Sequence, residues 1–173
     1  DTALDHRQKE YVQAIKRSGE HLFELINNIL DFSKIEAGKL NFNDINFDLR
    51  RLLEEIVKTF ELEAGEKGLR LRLHMDDKLP TYLQGDPGRL KQVFINLVAN
   101  AIKFSTSGEI TIAGRTMKVE NGVALVNFEI SDQGIGIHEK YLPKLFKPFI
   151  QGSSDISGKF GGSGLGLSIC KTL

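Results

Sequence analysis

Cysteine is almost absent. Cys170 stands alone, which excludes an intramolecular disulfide framework and any zinc or iron–sulfur centre built from cysteines. An excess of charge of one sign is missing too. Lys plus Arg number 23 and Asp plus Glu number 23, for a formal net charge of zero, so the basic surplus of a general nucleic-acid binder is lacking. No apolar run approaches the roughly 18 residues of a membrane span, and no signal peptide opens the chain, so a soluble piece with no nucleic-acid partner is expected. What is there is 173 residues, 40% hydrophobic and 27% charged. That is enough apolar material for a real core, and it excludes wholesale disorder. The start at Asp1 instead of methionine, and the stop at Leu173 inside an amphipathic pattern, lead us to expect an excised fragment.

Residues 5–38 read as one helix. Ile15, Leu22 and Ile29 fall seven apart, with Tyr11, Ser18, Leu25 and Phe32 at the complementary heptad position. A helix of that length, roughly 50 Å, is too long and too narrow-seamed to fold alone, and Gly38 supplies its stop. From about Asn43 the pattern turns to mixed α/β. Residues 43–47 read as a short strand, and Asp48 caps a helix with Leu49, Leu52, Leu53, Ile56, Val57 and Phe60 inward. Leu69, Leu71 and Leu73 alternate with Arg70, Arg72 and His74, a half-buried strand. Gly85-Asp86-Pro87 opens a helix to about Phe104. Ile110 and Ile112 start a strand that turns at Asn121-Gly122 and returns through Val126, Phe128 and Ile130. A short helix near 139–145 follows, with His138 as its cap. The stretch 152–164 holds nine Gly or Ser among thirteen residues and reads as a long mobile loop before a last helix that starts at Leu165.

Three pieces carry chemistry. On the helix from Pro87, the period predicts a buried stripe of Leu90, Phe94, Leu97 and Ala101. Asn96, Asn100 and Lys103 share a strip beside it, with Arg89 close by. Amide oxygens can complete the shell of Mg²⁺, and a lysine can neutralise phosphate oxygens; the plain alternative is a polar helix flank. Asp132-Gln133-Gly134-Ile135-Gly136 follows a strand. Its glycines permit a sharp turn and close approach to a flat ligand, and a buried aspartate, which only accepts hydrogen bonds, selects an exocyclic amine. The plain alternative there is a turn. Gly162-Ser163-Gly164-Leu165-Gly166 leads into a helix and offers consecutive N–H groups to anions. It is neither a P-loop nor a dinucleotide fingerprint.

Together, and in this order, these segments resemble the ATP-binding part of a sensor histidine kinase of the hybrid kind. Residues 96–104 match that family's N box, 132–136 its G1 box, Phe146-Lys-Pro-Phe149 its F box and 162–167 its G2 box. Residues 18–38 are similar to the second helix of its dimerisation and phosphotransfer hairpin. The resemblance implies an α+β fold: a long N-terminal helix (1–40), then a two-layer α/β sandwich of Bergerat type (41–173), a mixed sheet with helices on one face. It implies ATP and Mg²⁺ as cofactors, with Asn96 and Asn100 as the metal side chains. Lys103 is then on phosphate, Phe104 against adenine or ribose, and Asp132 on the adenine amine. Gly134 and Gly136 shape the base pocket, Gln151 and Lys159 close from a mobile lid, and Gly162, Gly164, Leu165 and Gly166 lie around the phosphates. The implied partners are ATP/ADP, a response-regulator receiver domain and a second copy through the hairpin; the implied location is cytoplasmic, with a parent anchored in the inner membrane.

One part of the pattern is missing. The family's nucleophile is a histidine followed by an acid, and none of His6, His21, His74 and His138 stands in that context. No catalytic residue is therefore assigned, and autophosphorylation in cis is not expected. Related ATPases (gyrase, Hsp90-type chaperones, MutL) carry a water-activating Glu where this chain has Asn96, which points to phosphoryl transfer over hydrolysis. A non-catalytic nucleotide-binding and dimerisation module, and a hydrolytic ATPase of the same fold, are the alternatives.

Overall fold

The computed structural model describes residues 5–150 and 164–173, with the side chains of residues 17, 20, 21 and 24 left aside. The chain divides into two compact units between Leu40 and Asn41.

The first unit is helix α1, His6–Glu36. Asp5 and Gln8 form a reciprocal capping box: Gln8 N–H donates to Asp5 Oδ1 at 2.8 Å, and Asp5 N–H donates to Gln8 Oε1 at 3.0 Å. The helix ends as expected before Gly38, which takes the left-handed conformation at φ +63. At 31 residues it is about 46 Å long.

The second unit runs β1 (Ile45–Asp48), α2 (Leu49–Glu66), β2 (Leu69–Met75), β3 (Tyr82–Gly85), α3 (Pro87–Phe104), β4 (Gly108–Glu120), β5 (Val123–Ser131), a 3₁₀ turn (Glu139–Lys144) and α4 (Gly166–Thr172). β1 pairs antiparallel with β3. β2 pairs parallel with β4, and β4 pairs antiparallel with β5, so the larger sheet is mixed, in the order β2-β4-β5. Asp48 caps α2 by accepting from Arg51 N–H at 2.9 Å. Asn121 and Gly122, at φ +51 and +80, make the β4–β5 turn.

The core forms where α2 and α3 meet one face of that sheet. Leu49, Leu53 and Ile56 from α2, Phe94, Val98 and Ile102 from α3, and Ile110 and Ile112 from β4 are all buried. The Phe94 and Phe128 rings meet edge to face, with centroids 5.1 Å apart. Gly114 leaves room for that contact, since a Cβ there would stand 2.9 Å from the Phe128 ring.

The structure corrects the sequence reading in three places. β3 was not expected. The segment near 139–145 is a 3₁₀ turn and not an α-helix, with Pro143 inside it. The buried stripe of α3 is Phe94, Val98, Ala101 and Ile102, while Leu90 and Leu97 are only half-buried. The stripe is turned by roughly 50° because α3 packs on α2 and the sheet together.

Candidate functional site

Helix α3 is the spine of the site. Its start is fixed by Asp86, whose Oδ1 accepts from Arg89 N–H at 2.9 Å and whose Oδ2 accepts from Asn43 N–H at 2.8 Å. Those bonds, the Asn43 one foremost, hold the Asp86 carboxyl below its ordinary value against the opposing effect of burial. At the other end, the Lys67 ammonium donates to the Ile102 carbonyl at 3.1 Å, a cation on a helix C-terminus. Between these ends lie Asn96, Asn100 and Lys103 on one strip. With the buried stripe turned as described, that strip lies roughly 180° across the helix from the core and not beside it. Yet all three side chains are half-buried.

Other segments cover that flank. Gly166, at the start of α4, lies against Asn96: a Cβ there would be 3.0 Å from Asn96 Oδ1. Leu165 and Ile169 of the same segment are buried. The segment before it is set by Gly164 at φ +70, whose carbonyl accepts from Phe149 N–H at 3.0 Å. Near the C-terminal end of α3, Gly134 comes so close that a Cβ would stand 2.5 Å from the Phe104 carbonyl oxygen, and Ile135 N–H donates to that oxygen at 3.2 Å. Only glycine fits at 134. Gly136, at φ +68 with open space around it, is required by conformation and not by closeness. The Lys103 ammonium lies 5.2 Å from the centroid of the Phe104 ring.

Asp132 departs from expectation in one respect. It is exposed, not buried, because it stands on the loop after β5, beyond the cover of the helices. Its Oδ1 accepts from Gly134 N–H at 2.8 Å, which fixes the carboxylate. Gln151, Lys159 and Gly162 lie outside the described residues.

Two side chains at the site were missed by sequence reasoning. Gln133 Oε1 accepts from Glu109 N–H at 3.1 Å and rests on Gly108, at φ +101, so it ties the loop that carries Asp132 to the start of β4. Nothing in the sequence signals this beyond its neighbours. Cys170 lies on α4 within reach of Asn96. Burial pushes its thiol up, offset in part by a hydrogen bond from the Asn96 side chain. The four-residue spacing from Gly166 was the available signal. Of the histidines, His138 caps the 3₁₀ turn by accepting from Lys140 N–H at 3.3 Å, and His6 pairs with Glu10 one turn on.

Among the described residues no cluster of three His, Cys, Asp or Glu side chains could hold a metal. The donors on α3 are neutral carboxamides. Such a set suits Mg²⁺ held jointly with phosphate oxygens and water, and does not suit a resident ion.

Residues 85–173, just over half of the chain, match the family model described as histidine kinase-, DNA gyrase B- and HSP90-like ATPase. Residues 1–38 match that of the His Kinase A (phospho-acceptor) domain. Among curated proteins, hybrid signal transduction histidine kinase B of Dictyostelium discoideum is 41% identical over 172 residues, which is 99% of this chain and 9% of that protein. The chain thus spans about a tenth of that relative's length. Among solved structures, full-length ShkA in complex with AMPPNP aligns with a TM-score of 0.77 at 30% identity, covering 99% of this chain and 34% of that one. The histidine kinase ThkA in complex with the response regulator TrrA aligns at 0.65 and 25% identity, covering 98% and 44%. No helix among the described residues is long and apolar enough to cross a membrane.

Proposed function

The chain belongs to the histidine kinase-, DNA gyrase B- and HSP90-like ATPase family, and on that premise we propose that it is the nucleotide-handling part of a hybrid sensor histidine kinase. Residues 41–173 bind ATP with Mg²⁺, and residues 1–40 belong to a helical hairpin that pairs two copies of the intact protein. The observation that carries this reading is the approach of two glycine segments to α3, Gly166 against Asn96 on the polar strip and Gly134 against the Phe104 carbonyl at the C-terminal end of the helix.

Asp132 accepts a hydrogen from the adenine amine, and Gly134 and Gly136 shape the loop around the base. Phe104 lies against adenine or ribose. Asn96 and Asn100 present oxygens to Mg²⁺, which supplies neutralisation of the triphosphate charge when bound. Lys103 adds a positive charge to the phosphates. The backbone of Gly162, Gly164, Leu165 and Gly166 embraces them, with Gln151 and Lys159 as closing contacts. In the transfer, the bond from the γ-phosphorus to its bridging oxygen breaks, a bond to a histidine nitrogen forms, and ADP leaves. That histidine belongs to a part of the hairpin outside this chain. A carboxamide at 96 takes no proton from water, so hydrolysis is not the outcome. The phosphoryl group then passes to an aspartate of a receiver domain; the likeness to a kinase solved with its response regulator supports that partner. A site that draws on ATP works on the cytoplasmic side.

Calorimetric titration of ADP and GDP against the native chain and Asp132→Asn tests the reading. The native chain should bind ADP and reject GDP. The variant should lose about tenfold or more in ADP affinity, because the carboxamide keeps an acceptor oxygen but loses the charge that strengthens its bond to the amine. Equal affinity for the two nucleotides, or no binding by a folded native chain, would overturn it.

A further inference from the structure

The β4–β5 ladder ends at the pair Thr111–Ser131. Carried two residues further, the same register sets Gln133 opposite Glu109, where the next rung of an antiparallel pair would fall. That rung is made by a side chain: Gln133 Oε1 accepts from Glu109 N–H at 3.1 Å. Only the oxygen end of a carboxamide can accept from a backbone N–H, so the chemistry fixes which way the group points. Gly108, at φ +101, lies against that oxygen, and a Cβ there would collide with it. Glu109 is itself anchored, because its carboxylate pairs with Arg72 Nε at 3.2 Å and Arg70 Nε at 3.8 Å on β2.

With the rung closed by a side chain, the backbone after Ser131 leaves the sheet and turns to α3. There Ile135 N–H donates to the Phe104 carbonyl at 3.2 Å. Asp132 thus begins a short loop held at two points, Glu109 and Phe104. Its Oδ1 accepts from Gly134 N–H at 2.8 Å, which leaves Oδ2 to accept from a ligand. We infer that Gln133 is a positioning residue for Asp132: its side-chain oxygen stands in for a main-chain rung and holds the loop ready before nucleotide arrives, so that binding does not bear the cost of ordering it. The consequence for adenine rests on the function proposed above; the clamp on Glu109 does not.

Gln133→Met keeps the length of the side chain and removes the acceptor. Gln133→Glu keeps both, and salt at about 0.15 M screens its added charge. In amide hydrogen exchange of the nucleotide-free chain, the Glu109 and Gly134 N–H groups should exchange about fivefold faster in Gln133→Met, as for one lost hydrogen bond, and near the native rate in Gln133→Glu. Ile112, buried on β4, should keep its rate in both. In calorimetric titrations Gln133→Met should lose about fivefold in ADP affinity, and Gln133→Glu should recover it. Native exchange at Glu109 and Gly134 in Gln133→Met would overturn the inference whatever the nucleotide does. So would faster exchange at Ile112 as well, which would mark a general loss of stability. Faster exchange at the two sites with native ADP affinity would overturn the link to the ligand. A native chain that binds no ADP would overturn the proposed function and that link together, and exchange would still decide the clamp.

Discussion

Two helices of this chain break the usual helix pattern in opposite ways. On α1 the apolar side chains are bare: Ile15 is 71% exposed, Phe23 68% and Leu22 58%. On α3 polar side chains are covered, with Asn96, Asn100 and Lys103 half-buried on the flank away from the core. An exposed apolar seam asks for another helix and offers no chemistry of its own. A covered polar strip needs partners that an apolar seam does not, and it is the kind of surface on which a polar ligand can be held.

If that contrast is right, substitutions in the two helices should differ widely in effect. The largest should come from Phe94→Ala, which empties the centre of the core and removes the contact with Phe128; urea unfolding should register a loss of about 3–5 kcal/mol. A smaller effect belongs to the cap of α3. The Asp86 carboxyl is held below its ordinary value of 3.8, chiefly by the Asn43 N–H, so its contribution is complete above that value and is lost as pH falls through the depressed one. Asp86→Asn keeps an acceptor and removes the charge. It should lower stability at neutral pH by about 0.3–1 kcal/mol, and melting curves of the two proteins should converge only as pH falls below the depressed value. The smallest should come from Leu22→Lys on α1. As a surface change it should alter stability by less than about 0.5 kcal/mol, while sedimentation should report any loss of self-association. A large drop in the melting temperature of monomeric Leu22→Lys would erase the contrast.

Much of the second unit was legible because its punctuation is local. Asp48, Asp86-Pro87 and Asn121-Gly122 each satisfy or bend the backbone within a few residues, and the bounds of α3, Pro87–Phe104, follow from them. Strand β3 escaped because its four residues hold too short an alternation to signal a strand, and its partner β1 lies about forty residues earlier. The turned stripe of α3 escaped for a related reason. Periodicity finds the mean apolar direction of a helix, whereas burial depends on which neighbours arrive from elsewhere in the chain. The chemistry-bearing residue types were visible as motifs, but the pairings Gly166 with Asn96, Gly134 with Phe104 and Gln133 with Glu109 span 24 to 70 residues. No local pattern encodes those distances.

The most direct test of the central claim is a nitrogen-15 spectrum of the native chain as ADP with Mg²⁺ is added. The account predicts shifts gathered at Asn96, Asn100, Lys103 and Phe104, at residues 132–136 and at residues 164–166, with the resonances of α1 unmoved. Shifts confined to α1, or none at saturating nucleotide, would contradict it.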